Sequence, residues 1–305
     1  MNTKATTNLT LPARPAFPGL VWWPVLLLPA SAFALRSFLP AWGFMWLLAF
    51  AVFLGCKWFT WWNCSVNAGA SWKVWAYFLA WPGLDARSFL SGEPPAEKPT
   101  LGAWLAAAAK TLFGAMLLWG VAGRLPASST LAIGWCGLFG LIFLLHFGTF
   151  DLVSLAWRQG GVNAVPLMNA PISATSLGEF WGRRWNSAFN RVAHDAVFRP
   201  VHRRFGTTTA TIAVFVASGL VHDLVISVPA GGGYGLPTLY FILQGAGVLL
   251  ERSPLARRLG LRHGFAGWCF VLAATAAPVF WLFHPPFIHN VVVPMLHAIG
   301  ALPKP

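Results

Sequence analysis

Apolar stretches recur along this sequence at lengths close to those that cross a lipid bilayer, and that recurrence decides what the chain can fold into. A spanning helix needs about 20 apolar residues at 1.5 Å rise each. Leu20–Phe38, Ala41–Trp62, Leu101–Gly123, Leu131–Trp157, Thr208–Val228, Leu236–Leu250 and Phe265–Phe283 meet or approach this length, and Pro286–Ala301 is a shorter eighth. Trp72–Pro82 is too short to cross and reads as an interfacial or re-entrant helix with its Trp residues at headgroup level. Composition agrees: 57% of residues are hydrophobic and 10% charged, whereas soluble domains run at about 45–50% and 25%. The sequence therefore predicts an all-α, polytopic transmembrane bundle of about 8 spans, forming a single domain over 1–305. It shows no internal repeat and no low-complexity tract.

The charges are lopsided, with 21 Lys and Arg against 8 Asp and Glu and a net charge of +13. In a soluble protein that excess suggests nucleic acid; in a bilayer it reports orientation, and no nucleic-acid partner is expected. With the amino terminus in the cytoplasm, 18 of the 21 basic residues fall on the cytoplasmic side, Arg36 and Arg124 lie outside, and Lys110 lies within a span. That is the asymmetry of the positive-inside rule. The polar segment 1–18 lacks the basic region, apolar core and cleavage site of a signal peptide and reads as a tail that stays attached.

Two connections break the apolar pattern. Asp85–Thr100 is a Pro-rich connector, whereas 158–206 is a long basic loop, and long loops are often functional. Within it Trp181, Trp185, Phe189, Val192 and Ala196 fall at helical spacing opposite Glu179, Arg183, Asn186, Asn190 and His194. This predicts an amphipathic cytoplasmic-side helix around 177–198, with Thr175 and Ser176 available as caps.

Ionisable groups inside spans are costly and mark functional candidates. Lys110, His146 with Asp151, His222 with Asp223, and Glu251 qualify. The most polar span is Thr208–Val228, where Thr208, Thr211, Ser218 and His222 recur on one face. Neutral histidine accepts a proton near pH 7, and its second nitrogen can be held by a partner. A histidine in a span also serves as a hydrogen-bonding partner for a neighbouring helix, and composition by itself favours that use. Asp223 points about 100° away from His222 and is free to pair with an Arg on another helix.

His146 and Asp151 form an HxxxxD pattern, used elsewhere by glycerolipid acyltransferases as a base and its orienting acid. On a continuous α-helix the two stand about 140° apart. The four cysteines show no CxxC spacing, so neither a zinc site nor a disulfide framework is expected. No HxxxH, HxxHH, HExxH, GxSxG or GxxxxGK[ST] motif occurs, and neither a metal nor a redox cofactor is implied.

Phe180-Trp181-Gly182-Arg183-Arg184-Trp185-Asn186, then Arg199-Pro200, then Ser218-Gly219-Leu220-Val221-His222-Asp223 follow one another over 45 residues, Glu179 to Asp223. In this order they resemble the plant-type wax synthase branch of the membrane-bound O-acyltransferase superfamily, with its FWGRRWN-like and SGLxHE-like segments. Trp81-Pro82-Gly83-Leu84-Asp85 is similar to an earlier family segment. The resemblance implies that His222 is the catalytic base and Asn186 the second active-site residue. This chain has Asp223 where the pattern has Glu, which leaves its partner open. Ser218 and Asp223 are supporting residues on the same reading.

The resemblance further implies transfer of a fatty acyl group from acyl-CoA, as co-substrate, to a hydroxyl. The leading acceptor is a long-chain fatty alcohol, giving a wax ester; a sterol, diacylglycerol or polar hydroxyl compound are alternatives. Arg183, Arg184 and Trp185, beside Asn186, are the residues expected to hold acyl-CoA. A proton-coupled transporter is the alternative from a different class. A bacterial inner membrane and endoplasmic reticulum both satisfy the topology.

Overall fold

The computed structural model describes residues 21–64 and 71–303; the predicted tail 1–18 and Lys304 lie outside them. Among the described residues all regular structure is helical: α1 Trp23–Ala34, α2 Ala41–Trp62, α3 Ser71–Ala80, α4 Ala86–Leu90, α5 Leu101–Arg124, α6 Thr130–Gln159, α7 177–184, α8 Ser187–Ala230, α9 Leu236–Leu250, α10 Pro254–Arg258, α11 Gly264–Leu282 and α12 285–298. Five of them, α2, α5, α6, α8 and α11, are long and apolar enough to cross a membrane. Helices α1 and α9 are apolar but have 12 and 15 residues, about 18 and 22 Å.

The expectation of eight spans is corrected at the carboxyl end. Helix α12 is a core helix: Ile288, Val291 and Leu296 are fully buried, and Val292 and Met295 nearly so. It packs against α2 and α6. Gly134 and Gly137 of α6 make room, since a Cβ at either would strike Ile288 or Leu296. Small residues also bring α5 and α6 together: a Cβ at Gly114 would meet the Leu144 backbone, and one at Gly148 would meet Thr111. Lys110 of α5 and Asp151 of α6 form an ion pair across this contact at 2.5 Å.

The amphipathic helix expected around 177–198 is instead two helices. Trp185 is extended (φ −96°, ψ 121°) and Asn186 is left-handed (φ 45°, ψ 61°), so α7 ends and α8 begins at Ser187. The predicted stripe therefore splits, with Trp181 against Phe215 and Phe241 and Trp185 against Phe180 and Phe147. Helix α8 then runs into the predicted span, interrupted at Gly206 (φ 80°, ψ 177°), a backbone geometry open only to glycine. The turn geometry, set by tertiary hydrogen bonds described below, overrides the helical spacing.

The assumed winding of the HxxxxD stretch is also corrected. Residues Ile142–Thr149 wind with i→i+5 hydrogen bonds, so the 3.6-residue arithmetic does not apply there. His146 and Asp151 still do not pair: Asp151 engages Lys110, and His146 Nδ1 is buried with no partner among the described residues.

One buried charge went unrecognised in the sequence. Lys57, counted above with the cytoplasmic charges, lies inside α2 with no exposed surface. Its Nζ donates to the carbonyls of Tyr77 at 2.5 Å and Gly83 at 2.9 Å and sits 3.8 Å from the centre of the Tyr77 ring. It thereby ties α3 and the Trp81–Asp85 turn to the bundle. Lys57→Met keeps the length but leaves those carbonyls unpaired, at about 1–3 kcal/mol each. We expect a lower melting temperature in detergent and earlier proteolysis between residues 71 and 90, measured by a thermal scan and limited digestion.

Candidate active site

Helix α7 starts where two side chains accept its unpaired amides and a third reaches back to the residue before its cap. Ser176 Oγ accepts from Glu179 N at 3.1 Å, and Glu179 Oε2 accepts from Thr175 N at 3.0 Å, a reciprocal cap. Buried Glu251, just beyond α9, accepts from Leu177 N at 2.7 Å and Gly178 N at 2.9 Å. Carboxylates are favoured at this end of a helix. The Thr175 amide and the Arg184 guanidinium hold the Glu179 carboxyl below the usual carboxylate range.

Arg184 closes the turn that follows. It pairs with Glu179 at 2.7 Å and donates to the carbonyls of Asn169 and Ala170 at 3.2 and 3.3 Å. Arg183 is exposed and lines a cleft of about 340 Å³ with Arg158, Asn163 and Asn169. Trp185 stacks on Phe180 at 5.5 Å. Asn186 takes the left-handed position, which asparagine tolerates better than most residues, and its backbone N approaches Met168 Sδ at 3.3 Å. Its side-chain Oδ1 is buried with no partner among the described residues, an unusual state for a native polar group.

His222 is shaped by α8 and α9. Its Nδ1 donates to the Ser218 carbonyl at 2.7 Å; a carbonyl only accepts, so Nδ1 carries the proton and Nε2 keeps its lone pair. Ser218 thus contributes its backbone oxygen. The imidazole lies 4.4 Å from the Phe241 ring of α9. Phe241 can come this close because Gly219 faces α9, where a Cβ would meet Thr238 Cα at 2.6 Å.

Among the described residues Asp223 pairs with no arginine. It accepts from Gly235 N at 2.8 Å, Thr238 N at 3.0 Å, the Thr238 hydroxyl, and Ser227 Oγ at 2.8 Å. Its partner is the first turn of α9.

The two principal candidates are joined indirectly. Among the described residues no hydrogen bond links Asn186 to His222, but Trp181, in the same turn as Asn186, packs 5.5 Å from Phe241. Trp181 Nε1 donates to Gln244 Oε1 at 3.2 Å, and Gln244 Nε2 donates to the Ala274 carbonyl at 2.7 Å. The sequence pointed to neither Phe241 nor Gln244; a buried glutamine in an apolar helix is a signal, though an uncharged one. A polar cleft of about 510 Å³ opens beside the turn, lined by Asn63, Asp85, Arg87, Arg191 and Arg199, with Asp85 and Arg191 paired at 3.2 Å. No group of three His, Cys, Asp or Glu among the described residues is placed to hold a metal.

Long apolar helices around a buried polar turn and a histidine within a span define an integral, multi-pass membrane protein. Residues 164–243, which carry Asn186, His222 and Phe241, match the membrane bound O-acyl transferase family. Over that stretch the chain is similar to the family, and it is distantly homologous to plant long-chain-alcohol O-fatty-acyltransferases. It is 32% identical over 143 residues to probable long-chain-alcohol O-fatty-acyltransferase 7 of Arabidopsis thaliana, covering 43% of this chain and 42% of that protein. It is 27% identical over 146 residues to long-chain-alcohol O-fatty-acyltransferase of Simmondsia chinensis, covering 43% and 40%. With acyl-CoA–sterol O-acyltransferase 1 of Arabidopsis thaliana it shares 36% identity over 67 residues, 20% of this chain and 19% of that protein. The matches thus span about two fifths of the length of the long-chain-alcohol relatives.

Gly219→Val tests the α8–α9 contact. Its side chain would push Thr238 away, at about 1–3 kcal/mol for an overpacked interface. A lowered melting temperature in detergent is expected, and an unchanged one would contradict the close approach.

Proposed function

We propose that this protein transfers a fatty acyl group from acyl-CoA to the hydroxyl of a long-chain alcohol, releasing coenzyme A and a wax ester. The observation that carries the reading is His222: its Nδ1 is occupied by the Ser218 carbonyl while Nε2 is left as a proton acceptor, within the family-matched segment. Nε2 takes the alcohol proton as the oxygen attacks the thioester carbonyl. The tetrahedral intermediate then expels the thiolate, which recovers the proton from the imidazolium. No covalent enzyme intermediate is needed.

Asn186, held in a left-handed turn, serves the developing oxyanion by donating from its Nδ2 amide, or orients the thioester, while its buried acceptor Oδ1 is left for a substrate donor. Arg183, without an ion pair among the described residues and facing its cleft, is the better placed of the two adjacent arginines for a coenzyme A phosphate, because Arg184 is spent on the turn. Trp185 braces that turn. The HxxxxD reading is weakened by the Lys110–Asp151 pair, which takes the acid away from His146. A sterol acceptor is the second reading, supported by the similarity to a plant sterol acyltransferase.

Membranes containing the protein, given acyl-CoA and a fatty alcohol, should release coenzyme A and form ester. His222→Ala should lower turnover by about 10²–10⁴ and Asn186→Ala by about 10²–10³. Full ester formation by His222→Ala would remove it from the mechanism. Ester with a sterol but not with the alcohol would move the assignment to the second reading, and solute movement without coenzyme A release would indicate transport.

A further inference from the structure

The turn between α8 and α9 closes around a residue from the far end of the chain. His284 precedes α12 and is fully buried, as is Ser227 of α8. His284 Nδ1 accepts from Phe287 N at 3.2 Å, so in the neutral ring the proton is on Nε2. Nε2 lies 3.1 Å from Ser227 Oγ, and Ser227 Oγ lies 2.8 Å from Asp223 Oδ1. The direction of this chain is determined at both ends: an amide donor at Nδ1 and a carboxylate acceptor at Asp223. It reads His284 Nε2–H to Ser227 Oγ, then Ser227 O–H to Asp223.

The surrounding backbone is built to this imidazole. Gly233 (φ 72°) lies flat on the ring, where a Cβ would collide with Nδ1, Cδ2 and Cε1. Gly232 rests on Pro286, and Asn290 Nδ2 donates to the Ala230 carbonyl at 2.8 Å. The Gly231-Gly232-Gly233 run is therefore a seat for His284 and the start of α12.

We propose that His284 is a positioning residue for the His222 site. Through Ser227 it orients Asp223, which holds the first turn of α9 and so sets Phe241 against the His222 ring. The reaction served is the acyl transfer proposed above, and the inference rests on that reading for its catalytic consequence.

His284 makes two separable contacts, and two substitutions divide them. His284→Gln places an amide N–H where Nε2 stood, keeping the donor to Ser227 and losing the cap on Phe287. His284→Asn places an amide oxygen where Nδ1 stood, keeping the cap and losing the donor. Amide exchange over residues 231–241 reports the grip of Asp223 on Gly235 and Thr238 without requiring turnover, and kcat and KM for the alcohol and for acyl-CoA report the site.

A positioning role predicts wild-type exchange and near wild-type kcat in His284→Gln. It predicts faster exchange in His284→Asn, with kcat down roughly ten- to hundredfold and KM for acyl-CoA little changed. Ser227→Ala should match His284→Asn, and the double variant should lose no more than either alone. The opposite order of Gln and Asn, or multiplying losses in the double variant, would overturn the proposal. The expected exchange pattern with no ester formed even by wild type would uphold the positioning of the turn and reject the acyl-transfer reading.

Discussion

The grip of Asp223 on the first turn of α9 is the contact from which the site is assembled. One carboxylate answers two backbone amides and two hydroxyls, at the helix end where the dipole favours negative charge. Because Asp223 follows His222 directly, helical geometry turns the two side chains about 100° apart. One therefore secures α9 while the other lies beneath Phe241. At its far end α9 is followed by Glu251, which caps α7. Helix α9 thus acts as a spacer, with His222 referenced to its start and the Asn186 turn to its end.

Low dielectric explains how the remaining ionisable groups are used. A charge in the bundle persists only when paired or hydrogen-bonded, and the described residues meet this in different ways. Lys110 takes Asp151, Lys57 takes two carbonyls, and Glu251 takes two amides. Each of these joins elements that are distant in sequence. His222 differs because one nitrogen is anchored and the other has no hydrogen-bond partner among the described residues. Intramembrane charge by itself therefore points to architecture as readily as to chemistry.

The positions of most spans were legible because a run of apolar side chains needs only the bilayer to interpret it. Ser176 as a cap was legible from local chemistry alone. Periodicity misled at 177–198 because the left-handed Asn186 is stabilised by contacts with 166–170, which no local pattern contains. It misled again at Pro286–Ala301, where hydrophobicity cannot distinguish burial in protein from burial in lipid. His222 and Asn186 were singled out through motif resemblance, whereas Phe241 carries no signal until α9 is laid on α8 and Gln244 only the weak one of an uncharged polar residue in an apolar helix.

What the sequence determined by itself was a helical membrane protein, its principal spans and the two polar segments that resemble an acyltransferase, since these follow from hydropathy and from residue order. Tertiary structure alone decided which nitrogen of His222 is free, that Asp223 holds a helix and not an arginine, and that Arg184 is spent within its own turn. The reason is physical: each depends on a hydrogen-bond partner supplied by another part of the fold. A side chain's role is set by which of its donors and acceptors remain unused once the chain has packed.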